Sequence, residues 1–483
     1  MIRRCGLALS AVLLMTSGLE AQDAPLSRLL PDLLSRAVVT PSSRNVPAGG
    51  PGVPHEAHFL PALAQSSAAY DLNRGIVTYL ATFPIGSSSG GFTYEADPGT
   101  GIPKRSSSNF GPSFAERALT VGKHQFTAGF NFQSVRYDRF EGLDLENANG
   151  SGAAFYLEHN DCCIQQLPDG TPGPGNTPKD PAFEGDLLRM ALGLKLKSNT
   201  SAFFASYGLT DRLDVGVAVP FVEVQIDANI FANLQRLSGT NPLIHTFAAN
   251  QDVSSANFSA SGSASGLGDV VIRSKYNFLH QPGGGFAAGL DVRLPTGDKD
   301  ELLGTGATQT KLYLIYSGDF GRVSPHLNVG YTLSNGNLAG GVGFEAPQGG
   351  FGQTVFARQS VPATNLAVPD EINYTGGFSV TLSPRVTLSV DAIGRSVRDA
   401  NRFGVVTRTF QFRTVNGGAV QSAERNDSVG ITGTGSLNAL LGVAGLKINL
   451  TRTLLLTGNV LFPLNDAGLR AKVAPVVGVD YAF

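Results

Sequence analysis

The chain ends Lys472-Val473-Ala474-Pro475-Val476-Val477-Gly478-Val479-Asp480-Tyr481-Ala482-Phe483. In an extended backbone successive side chains point to opposite faces. Val473, Pro475, Val477, Val479, Tyr481 and Phe483 then share one face, and Lys472 and Asp480 the other. A strand with one wholly apolar face and a polar one suits a wall between lipid and a polar interior.

The same alternation recurs upstream. Phe126, Ala128, Phe130 and Phe132 alternate with Gln125, Thr127, Gly129, Asn131 and Gln133. Leu188, Met190, Leu192, Leu194 and Leu196 alternate with Arg189, Lys195 and Lys197. Strands are predicted to begin near His124, Leu188, Leu213, Val270, Phe286, Lys311, Val323, Ile372, Val386, Asn438, Leu454 and Arg470. Tight turns fall at Leu209–Arg212, Gln281–Gly284, Gly318–Gly321, Leu382–Arg385 and Leu450–Thr453. Longer connections, 139–185, 227–267, 295–308, 334–370 and 398–437, lie between them, with a short one near Asn465. Strict alternation of short and long links predicts an all-β, transmembrane antiparallel barrel of about twelve strands, turns on one side and loops on the other. The count becomes about fourteen if 75–84 and 91–96 join the wall. The stretch 186–208 is long for one crossing, so Ser198-Asn199-Thr200 reads as a bulge or as an extension beyond the membrane.

Composition agrees. Charged residues are 15% of the 483, with 59 Gly, 29 Phe and no Trp, against about 25% charged in soluble domains. No apolar run long enough for a membrane helix follows the N-terminus. A net charge of -2 argues against nucleic acid as partner.

Arg3 and Arg4, an apolar core from Cys5 to Met15 and a small residue at Ala21 read as a signal peptide over 1–21, which implies export to a bacterial outer membrane. An extension and linker, 22–70, follows; within it Leu26, Leu29, Leu30, Leu33 and Leu34 have helical spacing. Such a stripe packs on its own domain or docks a partner. Residues 71–122 are expected to form a partly helical plug or cap, with a helix from Asp71 stopped by Pro84 and a hairpin turning at Asp97-Pro98-Gly99. The barrel is expected over 123–483. Cys162 and Cys163 lack metal-site spacing, and read as a loop disulfide or an unremarkable loop.

The predicted lumen charges are Arg189, Lys195, Lys197, Arg273, Lys275, Arg293, Lys311, Lys447 and Lys472 against Asp214, Asp269, Asp291, Asp391 and Asp480, with His326 as a polar filler. Paired charges would fill space; a basic excess would favour anions. Tyr313, Ile315, Leu441, Val443, Leu455 and Leu461 also face inward, which suggests a ligand pocket or plug seat over a wide aqueous pore. The acidic loop Asp298–Glu301 lacks calcium-loop spacing and reads as solvated. The seven histidines are scattered, and no nucleophile motif sits on a strand-to-helix turn. An enzyme is therefore not expected, nor any cofactor or metal.

Val479, Tyr481 and Phe483 resemble the terminal signal read by the barrel-assembly machinery. Further stretches carry a family resemblance. Gly90–Tyr94, Phe110–Ala118, Tyr207–Asp214, Gly266-Leu267-Gly268-Asp269 and Leu294-Pro295-Thr296-Gly297-Asp298, in this order, are similar to the bacterial outer-membrane family named for a putative MetA-pathway of phenol degradation. The resemblance spans most of the chain from about residue 70. It implies a transporter-like barrel, related in style to channels for hydrophobic compounds, and carries over no catalytic residue. The expectation is a passive channel for small hydrophobic or aromatic solutes. The alternatives are a surface barrel whose loops bind a partner and, third, a barrel enzyme.

Overall fold

The computed structural model describes residues 25–37, most of 72–80, Gly86, most of 91–146, 154–158, 186–237, Gly239, 245–248, 251–338 except Pro282, 345–348, 357–360, 366–412 and 419–483. The expected signal peptide, the linker at 40–54 and the Cys162-Cys163 loop lie outside these residues.

The alternating segments pair into one closed ring of twelve antiparallel strands. In chain order these are β1 (Phe126–Tyr137), β2 (Asp186–Gly208), β3 (Leu213–Arg236), β4 (Val271–Gln281), β5 (Gly284–Arg293), β6 (Ala307–Ser317), β7 (Val323–Leu338), β8 (Glu371–Ser383), β9 (Val386–Phe412), β10 (Gln421–Asn449), β11 (Leu454–Pro463) and β12 (Ala474–Ala482). The ring closes where β12 returns to β1, with Val476 opposite Gln133 and Ala482 opposite Thr127. Closure removes the sheet edge, so wall amides and carbonyls pair without water.

The outer surface is apolar. Phe203, Phe221, Ile272, Leu314, Phe378 and Val477 come from different strands and all are exposed. In water such a band would drive association; in hydrocarbon it is the low-energy surface.

β5 and β11 have 10 residues and β12 has 9, about what a tilted strand needs to cross the bilayer. β2, β3, β9 and β10 have 23, 24, 27 and 29. The surplus continues as sheet past the loop end of the barrel and forms a collar. β2 and β3 stay paired from Gly208↔Asp214 to Asp186↔Arg236. β3 also pairs with Ser255–Leu267, and β9 stays with β10 to Phe412↔Gln421. The connections 227–267 and 398–437, expected as loops, are therefore largely strand.

The collar also corrects which face is which. Lys195, Lys197, Phe203 and Tyr207 share the outward face of β2 and are all exposed, whereas Leu188, Met190, Leu194 and Leu196 are buried within. In the membrane the apolar face must look out to lipid. Above it, both outer and inner environments are set by water and protein, and the apolar face turns in. No bulge intervenes: the register is unbroken through Ser198, Asn199 and Thr200. Lys195 and Lys197 are thus surface residues of the collar, not lumen residues. Arg189 shares their face. It stands opposite Tyr156 of the paired short strand Ala154–Glu158, donates to the Tyr156 hydroxyl at 3.2 Å and is bonded to Asp427 at 2.9 Å, which also removes it from the lumen set. Lys472 precedes β12, is exposed, and pairs with Asp138 at 3.6 Å.

The N-terminal leucines fill the collar. Leu26–Arg28 form a 3-10 turn that runs into helix α1 (Leu29–Ala37). Pro31 falls in the first turn, where its missing N–H costs no helical bond. Leu26, Leu29, Leu30, Leu33 and Leu34 join one buried cluster with Leu194, Leu196, Ile226 and Ile230 of the collar. Leu72, Ile76, Tyr79 and Leu80, helical in the structure, belong to the same cluster. The acidic loop holds the turn: Ser27 N donates to Asp300 O at 2.9 Å and Leu26 N to Glu301 Oε2 at 3.3 Å.

Candidate solute-binding cavities in the lumen

Two short strands, Tyr94–Ala96 and Pro103–Arg105, form a hairpin. At its turn the Asp97 carboxylate accepts the amides of Gly99 and Thr100, both at 3.0 Å. The described residues from Ser106 to Gly122 form neither helix nor strand. They are fixed instead by bonds to the wall. Val121 N donates to Asp214 of β3 (3.0 Å), Ala118 N to Ser317 of β6 (3.0 Å) and Glu116 N to Asn328 of β7 (2.7 Å). Phe110 N donates to Thr387 of β9 (3.2 Å), and Lys447 Nζ of β10 donates to Pro112 O (2.8 Å). A segment bonded to strands on all sides of the ring lies inside the ring. Arg117 ties the segment to itself through Asn109 O and Gly91 O, both at 3.0 Å. Burial pushes its guanidinium down to about 10, still protonated at neutral pH.

The stretches that carried the family resemblance meet at these contacts. Gly208 lies so close to the inner segment that a Cβ there would stand 1.9 Å from Gly122 O. Asp269 accepts from Gly297 N (3.1 Å) and from Thr305 N (2.8 Å), while Thr296 Oγ1 donates to Gly268 O (2.7 Å). The Gly-Leu-Gly-Asp and Leu-Pro-Thr-Gly elements are thus two halves of one loop-end clasp.

A buried ion network joins segment and wall. Arg273 of β4 grips Asp291 of β5 through two bonds of 2.9 Å and reaches Glu116 at 3.1 Å. Lys275 lies 3.5 Å from Glu116 and 3.6 Å from Asp214. On the other side His326 and Asp391 are buried together at 2.6 Å. Charges this deep are sustained by one another; deleting a partner costs more than the pair contributes.

Two adjoining cavities lie within the barrel wall, the larger of them reached by Phe114 of the segment. One, of about 150 Å³, is walled by Arg273, Asp291, Arg293, Gln309, Lys311, Glu371, Asn373 and Arg395. The other, of about 40 Å³, is mostly apolar, with Tyr79, Val135, Tyr137, Leu441 and Leu461. Both are lined by Ile393 and Arg395, so they adjoin. Arg273, Asp291, Arg293 and Lys311 are brought together here; Lys275 and Lys447 instead hold the inner segment, and His326 and Asp391 face its far flank. Arg395, Glu371 and Glu116 were absent from the sequence-derived candidates. Glu116 lay within a quoted family stretch, and Glu371 and Arg395 occupy inward positions at the margins of predicted strands.

The described histidines have polar partners: His245 with Asp186, His326 with Asp391, His280 with Glu95 and His124 with Tyr207. Among the described residues no group of three His, Cys, Asp or Glu could hold a metal.

An apolar outer band and a closed antiparallel ring of twelve strands define a transmembrane β-barrel of the outer-membrane class. Within that class the chain belongs to the family described as "Putative MetA-pathway of phenol degradation", whose model matches residues 170–412. No curated protein sequence matches it. Among solved structures, the COG4313 outer membrane channel from Pseudomonas putida F1 matches at TM-score 0.40 and 11% identity, over 76% of this chain and 97% of that one. The TodX deltaS2S3 mutant monoaromatic hydrocarbon channel matches at 0.33 and 12%, over 76% and 92%. A FadL homologue of Pseudomonas aeruginosa matches at 0.29 and 11%, over 74% and 89%. These are distant likenesses of barrel to barrel, and the reading below rests on this chain's own lumen.

Proposed function

We propose that this chain is a passive outer-membrane channel for small hydrophobic or aromatic solutes, with the 91–122 segment as its plug. The observation that carries the reading is the adjoining pair of cavities, one apolar and one polar, beside the inner segment's wall contacts. A wide aqueous pore needs a continuous polar lining. Here the N-terminal leucines fill the collar, and the smaller cavity is lined by Val135, Ile393, Leu441 and Leu461, which favours a small apolar solute over a wide aqueous path. The loop end then faces outward from the cell and the turns face the periplasm. Val479, Tyr481 and Phe483 serve as the signal for the barrel-assembly machinery, after export directed by residues 1–21. Arg273, Arg293, Lys311 and Asp291 line the path, and the outer band meets lipid.

Planar-bilayer recording tests the reading. A plugged channel gives small, solute-sensitive conductance. Large, ohmic, unspecific conductance would refute the pocket and leave a general pore.

A further inference from the structure

Building on the channel reading, we infer that the polar cavity binds the carboxylate of a small organic acid, whose apolar body lies in the adjoining chamber. Four cations, Arg273, Arg293, Lys311 and Arg395, line this cavity against two carboxylates, Asp291 and Glu371. Both carboxylates are already engaged. Lys311 stands directly opposite Asp291 in the β5–β6 register. Yet the Asp291 oxygens accept two bonds from Arg273 and one, at 3.0 Å, from the Tyr313 hydroxyl. Glu371 is taken by Arg395 and by Asn373 Nδ2, the latter at 3.1 Å. Glu116 serves Arg273 and Lys275, and Asp269 is bonded to the 297–305 clasp. Lys311 is left over the Tyr313 ring, at 4.7 Å from its centroid. Among the described residues it has no carboxylate within ion-pair distance.

A cation held in a largely enclosed site is costly without an anionic partner. A ligand carboxylate supplies one. A neutral hydrocarbon would leave Lys311 unmet, and an ammonium ion would meet repulsion. The apolar side is set beside it: Ile393 lines both cavities, and Arg395 lies over the Tyr79 ring at 4.9 Å where they join. The ligand class is therefore a compact acid with an aromatic or branched aliphatic body.

Isothermal titration of the purified full chain in detergent with sodium benzoate, benzyl alcohol and benzylamine tests this. Benzoate is expected to bind about tenfold or more tightly than either of the others, as a charge-assisted bond implies. Lys311→Met should weaken benzoate by about the same factor, and Lys311→Arg should retain it. Equal binding of the three probes by the natural chain would overturn the inference, whether or not the Met variant folds. So would unchanged benzoate affinity in a Lys311→Met barrel that still migrates as folded. Titration reads binding without passage. Selective benzoate binding with no solute uptake would uphold the site and refute the channel; uptake without benzoate preference would do the reverse.

Discussion

The backbone N–H of Phe483 donates to the carbonyl of Phe126 at 2.9 Å, so the chain's last residue is bonded to the first residue of β1. The two rings pack at a tilt of 46° with centroids 5.2 Å apart, and the Tyr481 ring meets Phe483 edge-on at 4.6 Å. These aromatics sit at the turn end of the seam that completes the ring. Phe483→Ala should remove about 0.5–1.5 kcal/mol of ring contact beyond area burial, and it also removes part of the terminal signal proposed for assembly. Folded protein in the outer membrane, measured by heat-dependent mobility of membrane fractions, should fall several-fold. An undiminished folded yield would separate the seam from assembly.

The inversion of β2 predicts two different environments on one face. In a background with Cys162 and Cys163 changed to Ser, Lys195→Cys should react in intact cells with a membrane-impermeant maleimide. Phe203→Cys, eight positions on along the same face, should not react until the membrane is dissolved. Equal labelling at both positions would place the bilayer boundary elsewhere.

Glu116 is the carboxylate that the inner segment offers to Arg273 and Lys275. Glu116→Gln leaves Arg273 with Asp291 and Lys275 with Asp214, so the wall keeps its pairs and the segment loses its charged anchor. The expected loss is about 1–3 kcal/mol. In planar bilayers the variant should show larger or more frequent openings than the natural chain, while the barrel remains folded. Identical traces would mean that the segment does not limit conduction.

Leu33 is fully buried between α1 and the collar. Leu33→Ala should cost about 2–5 kcal/mol locally and loosen the N-terminal turn from Asp300. Protease added to intact cells should then cut the N-terminal region faster, with the barrel fragment unchanged. Uniform sensitivity of the whole chain would show instead that the collar is not an independent packing unit.

Much of the wall was legible because lipid imposes one rule on every crossing: apolar out, polar in, at period two. That rule located the strand starts near Leu213, Val323, Val386 and Leu454. It failed where the sheet leaves the membrane. The leucines at 188, 194 and 196 carry the same alternation as Phe126, Ala128 and Phe130, but alternation does not say which side is lipid. Lys195 and Arg189 were misplaced for that reason. The candidate site was half legible. Arg273, Asp291, Arg293 and Lys311 lie on well-patterned strands. Glu116 sits in irregular chain and becomes a lumen residue only through tertiary contacts. Glu371 and Arg395 fall where a predicted strand gave way to a predicted loop.

A channel of this kind passes a small apolar solute through the barrel. Such passage is tested most directly by the initial uptake rate of radiolabelled toluene at limiting concentration. The comparison is between cells lacking the chain, cells expressing it, and cells expressing a folded variant with the apolar chamber filled, Ala439→Phe. Uptake should be slow without the chain, restored with it, and lost in the filled variant. Equal rates in all three would contradict passage through the barrel.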